Sequence, residues 1–356
     1  MQIDNQKLQA LLDQACREGE EYGCQLAIYH HGKLVTDLTA GKVAPDGTDV
    51  KSDTLFPVYS VSKGLTAALA HILHEEGKLD YNANVADYWP EFGCNGKENI
   101  KVWMLLSHRA GLYPMPLVEK FSDQGDWQKM VRWMENASPV LPPGGKCQYH
   151  GITFGWLVGE VIARAGKKSF NELFAEKILN RLNIEREFFF GIDDEAEQRI
   201  TYPALNAYMN YADWRNVFIA DPAVRRGCIP SANGFGTARA LARFYAALCP
   251  SGVDGVKLLK ESTIANALKP CRADDDPRAA DMGRWAFFGL GWALCGPDEN
   301  PGKLFGHGGA LGAEGLAVPE LDLAIGFTKN KFNATHPVHP LRDRISKELD
   351  LEIRHW

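Results

Sequence analysis

FPVYSVSKGLTA, the stretch at residues 56–67, decides how the rest of the chain is interpreted. It contains Ser60 and Lys63, and the apolar residues that follow recur at the spacing of one helix face: Leu65, Leu69, Ile72 and Leu73. Residues three apart lie on the same side of a helix, so the two side chains can touch. A serine hydroxyl is a strong nucleophile only when a nearby base accepts its proton, and a desolvated lysine can be that base. The stretch therefore predicts a nucleophile and its base at the start of a helix.

Ser-x-x-Lys alone occurs by chance in many proteins, so a catalytic site needs support from other motifs. Two further stretches provide it. Residues 145–156 read GKCQYHGITFGW and place Tyr149 between a Pro-Gly loop and a predicted helix. Residues 304–312 read LFGHGGALG, in which Gly308 and Gly309 follow His307. Glycines on a strand let a substrate approach the backbone closely. A phosphate-binding loop is not predicted there, since no Lys-Ser or Lys-Thr pair follows the glycines.

Composition narrows the class of protein. The chain has 356 residues, a formal net charge of -6, 45% hydrophobic residues and 24% charged residues, which is typical of a globular protein with one large or two ordinary domains. No basic stripe indicates a nucleic-acid partner, and no apolar run is long enough to span a membrane. The first residues, MQIDNQK, lack the features of a secretory signal. Either the protein is cytoplasmic, which we expect, or a signal was removed before this numbering begins.

No metal and no cofactor are expected. The eight cysteines include no C-x-x-C pair, which predicts free, mostly buried thiols in a reducing compartment. His71, His74 and Glu75 have neither the HExxH nor the HxxEH order of zinc peptidases. The acidic run at 274–276 is expected to be a solvated loop rather than a cation site.

The order of predicted elements indicates an α+β fold. Leu8, Leu12 and Ala15 mark a first amphipathic helix, and a hairpin turn is predicted at 30–33. Three strands are expected at 289–294, 315–318 and 323–328, followed by a closing helix at 339–351. Strands at both ends and helices in the middle predict an antiparallel sheet flanked by helices, with an inserted all-helical domain. We expect a sheet domain of residues 1–75 and 265–356 and a mostly helical domain of residues 76–264, with the active site between them.

Together, the three stretches resemble the serine β-lactamase and penicillin-binding-protein superfamily, in its class C-like branch. That branch includes class C β-lactamases, D-Ala-D-Ala carboxypeptidases, D-aminopeptidases and family VIII carboxylesterases. Residues 105–112 resemble its L-L-x-H-x-S-G-L segment, with Ala110 in place of the serine and His108 interpreted as a structural turn former. The resemblance implies that Tyr149 exchanges protons with Ser60 and Lys63.

The resemblance also assigns substrate contacts. It implies an oxyanion hole made by the backbone N–H groups of Ser60 and Ala310. It implies substrate binding by four further residues, which are His150, His307, Gly308 and Gly309. A phenolate at Tyr149 would be feasible near neutral pH only if a cation such as Lys63 stabilised it.

Two departures from the β-lactamase pattern bear on the substrate. His307 stands where the superfamily has the lysine of Lys-Thr-Gly, and Gly151 stands where it has the asparagine of Tyr-x-Asn. The sequence around Tyr149 is closer to the esterase-type members. We therefore predict a serine hydrolase that cleaves small carboxylic esters through an acyl-enzyme intermediate, since no G-x-S-x-G elbow points to another esterase fold. The alternatives are a β-lactamase, a D-amino-acid peptidase or D-Ala-D-Ala carboxypeptidase, and a non-catalytic binding member of the fold.

Overall fold

An antiparallel six-stranded sheet is the central element of the structure. The structure is a computed structural model that describes residues 3–44, 47–201, 221–270, 288–297, 299–331 and 340–353. The strands are β1 (Gly23–His30), β2 (Lys33–Gly41), β3 (Phe56–Tyr59), β4 (Phe188–Phe190), β5 (Gly234–Gly236), β6 (Ala293–Leu294), β7 (Phe305–Gly308), β8 (Glu314–Val318) and β9 (Leu323–Lys329). The large sheet has the order β2-β1-β9-β8-β7-β6, so its strands come from both ends of the chain. This confirms the predicted antiparallel sheet and α+β class.

The helices surround this sheet and fill the middle of the chain. They are α1 (Asn5–Arg17), α2 (Ser62–Glu75), α3 (Val85–Tyr88), α4 (Val102–Leu106), α5 (Trp127–Asn136), α6 (Thr153–Gly166), α7 (Phe170–Phe174), α8 (Asn180–Leu182), α9 (Asp194–Glu197), α10 (Pro222–Arg226), α11 (Ala238–Ala246), α12 (Glu261–Ala267) and α13 (Pro340–Glu348). No helix within the described residues is long and apolar enough to cross a membrane.

Local sequence explains the first elements. The Asp4 carboxylate accepts the backbone N–H groups of the first turn of α1, at Gln6 and Lys7. The turn between β1 and β2 has positive φ angles at His31 (49°) and Gly32 (69°), as a two-residue hairpin of type I′ requires. The predicted first helix and hairpin are therefore confirmed.

Two features differ from the prediction. The strand expected at 289–294 is reduced to Ala293–Leu294, because the Gly289 N–H donates to the Trp292 carbonyl (2.9 Å) and Gly291 has a φ of 84°, which reverses the chain. The middle of the chain also contributes strands, since β4 and β5 join β3 in a three-stranded sheet of order β3-β5-β4. The predicted closing helix is observed at Pro340–Glu348. One of the eight cysteines, Cys271, and the acidic run at 274–276 lie outside the described residues.

The helix α2 lies at the centre of the molecule, and every residue from Ser62 to Leu73 is buried. The spacing of apolar residues predicted only one buried face. Its partners are α6 on one side and β7 on another, so polar residues of α2 are desolvated as well. The helix α11 lies directly on the large sheet, because a Cβ at Gly326 would be 2.0 Å from the Ala238 carbonyl oxygen. The division into a sheet domain and a mostly helical domain stays a prediction.

Close packing around α2 gives a stability prediction. Gly64→Ala is expected to lower the free energy of unfolding by about 1–3 kcal/mol, although alanine is the better helix former. A Cβ at this position would lie 2.2 Å from the hydroxyl oxygen of buried Tyr245. That oxygen has no hydrogen-bond partner among the described residues, so adding Tyr245→Phe should restore most of the loss. Urea unfolding of the two single variants and the double variant tests this. A Gly64→Ala protein as stable as the unmodified one would contradict it.

Candidate active site

A strained turn presents Ser60 at the junction of β3 and α2. The preceding residue, Tyr59, has a φ of 48°, which is rare for a bulky residue and is typical of functional sites. Ser60 is partly exposed, and its carbonyl accepts the backbone N–H of Lys63 at 3.0 Å. The neighbouring Ser62 is fully buried, and its Oγ accepts the Gly234 N–H at 3.1 Å. Of these two hydroxyls, only that of Ser60 can reach a substrate from solvent.

The side chain of Lys63 is fully buried and ends beside three oxygen atoms. Its Nζ lies 3.0 Å from Ser60 Oγ, 2.7 Å from the Gly151 carbonyl oxygen and 2.8 Å from the Ser231 carbonyl oxygen. Burial lowers the pKa of this amine well below the usual value for lysine, because the charged form loses its hydration. A neutral amine has two N–H groups and one lone pair. In that neutral form, with its N–H groups on the two carbonyls, the lone pair would face Ser60 and could accept its proton.

Tyr149 lies beside both Lys63 and Ser60. Its ring centroid is 4.8 Å from Lys63 Nζ. Desolvation raises the pKa of the Tyr149 hydroxyl above its usual range, and a hydrogen bond with Ser60 acts in the opposite direction. The expectation of a phenolate stabilised by a lysine cation is therefore not favoured. Burial disfavours the charged form of both groups.

His307 lies on β7 and is buried, with 1% of its surface exposed. Its Nδ1 is 2.7 Å from the Gly308 carbonyl oxygen. Burial lowers the pKa of His307 to about 3, and the nearby Lys63 acts in the same direction. The imidazole is therefore neutral near pH 7, so it does not provide the positive charge that a lysine would provide at this position.

His150 is placed differently from the prediction that it binds substrate. It is fully buried, and its Nδ1 donates to the Gln148 carbonyl at 2.7 Å. Its Nε2 accepts the Leu112 backbone N–H at 3.1 Å. Both ring nitrogens are therefore used by the backbone, and neither is available to a ligand. We interpret His150 as a residue that fixes the loop around Tyr149.

The glycine-rich turn after β7 lies against the turn that carries Ser60. A Cβ at Gly309 would be 2.3 Å from the Val58 carbonyl oxygen, so only glycine allows this approach. The next residue, Ala310, is exposed. Within the described part of the chain, the backbone N–H groups of Ser60 and Ala310 donate to no acceptor. Two free N–H groups next to a candidate nucleophile are suited to an oxyanion.

The carbonyl groups of Gly151 and Ser231 were not identified from the sequence as parts of the site. The Ser231 hydroxyl donates to the Ile152 carbonyl at 2.6 Å, which connects the two segments that hold Lys63. Backbone carbonyls have no side-chain signature, so no motif could reveal them. Among the described residues, no group of three or more His, Cys, Asp or Glu side chains is arranged as metal ligands.

Comparison with known proteins identifies the family. A family model described as "Beta-lactamase" matches residues 8–349. The chain is 30% identical over 339 residues to the "Esterase/beta-lactamase LipL" of Mycobacterium tuberculosis, with 87% of this chain and 77% of that protein covered.

Solved structures show the same relationship. A family VIII carboxylesterase superposes with a TM-score of 0.85 and 28% identity, with 98% of each chain covered. A penicillin-binding protein homologue from Caulobacter crescentus superposes with a TM-score of 0.79 and 27% identity, with 93% of this chain and 94% of that chain covered. The structure has a buried lysine beside an accessible serine. Because the family model matches nearly its whole length, the chain belongs to the beta-lactamase family and is a hydrolase of that fold.

Proposed function

We propose that this protein is a serine carboxylesterase that cleaves small esters through an acyl-enzyme intermediate. The observation that carries the proposal is the 3.0 Å contact between Lys63 Nζ and Ser60 Oγ, with the amine desolvated and held by two carbonyls. A nucleophile with a positioned base within hydrogen-bond distance is the general signature of covalent catalysis. Family VIII carboxylesterases and LipL, as relatives, support this reaction class.

In the first half of the proposed reaction, Ser60 Oγ attacks the ester carbonyl carbon. Its proton passes to Lys63, and the N–H groups of Ser60 and Ala310 stabilise the negative charge on the carbonyl oxygen. When the tetrahedral intermediate collapses, the bond to the leaving oxygen breaks. The proton then reaches the leaving alkoxide through Tyr149, whose neutral hydroxyl can donate one proton while it accepts another.

In the second half, a water molecule attacks the acyl carbon of the ester on Ser60. The Lys63 and Tyr149 pair accepts a proton from this water and returns it to Ser60 Oγ. The bond between Oγ and the acyl carbon breaks, and the carboxylic acid leaves. The enzyme returns to its starting protonation state, so no cofactor takes part in the proposed reaction.

An ester is favoured over a β-lactam or peptide because the site lacks two polar contacts. The superfamily resemblance assigns recognition of a substrate carboxylate or amide to a lysine and an asparagine. Here those positions hold His307, whose pKa is lowered to about 3, and Gly151, which has no side chain. A hydrogen bond to a charged group contributes about 1.5–3 kcal/mol, whereas an uncharged ester needs neither contact.

We expect kcat/KM for short p-nitrophenyl esters to exceed that for nitrocefin by at least about 100-fold, which is about 2.7 kcal/mol and lies near the upper end of the range for one such lost contact. Steady-state kinetics on both substrates at pH 7.5, with one enzyme preparation, test this. Faster or comparable turnover of nitrocefin would contradict the esterase proposal and favour a β-lactamase.

The same kinetic measurements, with D-amino-acid p-nitroanilides added as a third substrate class, distinguish an esterase from a D-amino-acid peptidase and from a non-catalytic binding protein. Turnover of D-amino-acid p-nitroanilides would indicate a peptidase acting at the same serine. A non-catalytic member of the fold would turn over none of the three substrate classes. It would also fail to react with a fluorophosphonate, which labels activated serines.

A further inference from the structure

His108 contacts the Tyr149 segment from two directions. It follows α4 and is fully buried, with a φ of 59°. Its carbonyl oxygen accepts the Gln148 N–H at 2.9 Å, and its ring Nδ1 accepts the His150 N–H at 3.2 Å. The two donors are the residues immediately before and after Tyr149. One residue therefore fixes the backbone on both sides of the proposed proton-transfer group.

The ring of His108 also packs directly on Tyr149. The two ring centroids are 4.8 Å apart. The ring of Phe288 makes an edge-to-face contact with the same histidine, with 4.6 Å between the two centroids. Because Nδ1 accepts a hydrogen bond, the proton of the neutral ring is on Nε2. Burial lowers the pKa of His108 well below its usual value, and the nearby His150 and Lys63 act in the same direction. The ring is therefore a neutral acceptor and a packing surface, and it adds no charge beside Lys63.

His108 makes both contacts from a left-handed backbone conformation, with a φ of 59°. This conformation costs about 1–2 kcal/mol for a residue other than glycine or asparagine. A cost of this size is retained where surrounding contacts require the geometry.

We propose that His108 is a positioning residue that holds Tyr149 at the distance needed for proton transfer, through its carbonyl and its Nδ1. This inference rests on the proposed function, in which Tyr149 passes a proton between Ser60 and the leaving group. Proton transfer requires heavy atoms about 2.6–3.2 Å apart. A displacement of about 1 Å can cost about 100-fold in rate.

The test compares a variant that keeps a hydrogen-bond acceptor with one that removes it. His108→Asn keeps an acceptor at nearly the position of Nδ1 and tolerates a positive φ, whereas His108→Leu keeps an apolar volume without an acceptor. With a short p-nitrophenyl ester, we expect His108→Leu to lower kcat about 10–100-fold with KM changed less than about twofold. His108→Asn should recover most of that kcat. Fluorophosphonate titration normalises each rate to the amount of active protein.

A second arm separates positioning from general structural support. In a Tyr149→Phe background, His108→Leu should cause almost no further loss of kcat, because the group it positions is already absent. A purely structural role would lower kcat by the same factor in both backgrounds. That outcome would overturn the proposal, and so would equal rates for the Asn and Leu variants.

If His108→Leu does not fold, His108→Gly replaces it, because glycine removes the acceptor and tolerates the positive φ. The same comparison with His108→Asn and the same double variant then apply. Failure of this inference leaves ester hydrolysis by the unmodified protein intact. Failure of the proposed function would instead appear as no ester turnover and no labelling in the unmodified protein.

Discussion

Ser60→Ala is expected to abolish ester hydrolysis and fluorophosphonate labelling while the protein stays folded. Ser60 supplies the oxygen that would bond to the acyl carbon, and no other group in the site can replace it. Its side chain is partly exposed and lies outside the buried core, so the change should leave the thermal unfolding temperature nearly unchanged. The measurements are residual kcat/KM, intact mass after labelling, and thermal unfolding.

The matched control is Ser62→Ala, two residues away on the same turn. Ser62 is buried, and its Oγ accepts the Gly234 N–H. Its loss should therefore cost about 1–3 kcal/mol of stability and leave the label on Ser60. Peptide mapping that located the label on Ser62 would show that the nucleophile was assigned to the wrong residue.

Lys63→Ala and Tyr149→Phe are each expected to lower kcat by about 10²–10⁴-fold, the usual contribution of a general acid–base group. The double variant should be little worse than either single variant, because groups that act as one proton-transfer unit are not additive on removal. Steady-state kinetics of the three proteins with one p-nitrophenyl ester test this. Losses that multiply would indicate that the two residues act independently, against the proposed mechanism.

Lys63→Ala needs a stability control, because the lysine fills a buried position between three oxygen atoms. Lys63→Met retains most of that volume without an amine. If the amine is the base, the methionine and alanine variants should be equally inactive, even though methionine should be the more stable. An active methionine variant would assign the base to another group.

The proposed chemistry of the site could be predicted from the sequence because it depends on side chains in short motifs. The Ser60 and Lys63 pair needs only helical spacing to bring the two groups together, and the structure places them 3.0 Å apart. The large antiparallel sheet also followed from strand patterns at both ends of the chain. In contrast, the small sheet of β3, β4 and β5 was missed. The strands Phe188–Phe190 and Gly234–Gly236 are too short for any alternation to appear.

By itself, the sequence determined the family resemblance, the sheet built from both ends of the chain, and the identity of the proposed nucleophile, base and tyrosine. Only the tertiary structure decided how the pKa values of these groups are shifted and which other groups they contact. Burial of α2 on all sides lowers the pKa of Lys63, and the carbonyls of Gly151 and Ser231 orient its amine. Backbone groups of neighbouring Gln148 and distant Leu112 likewise occupy both ring nitrogens of His150, which was predicted to bind substrate. The physical reason is that desolvation and backbone hydrogen bonds depend on which segments meet in space, and residue identity alone does not contain that information.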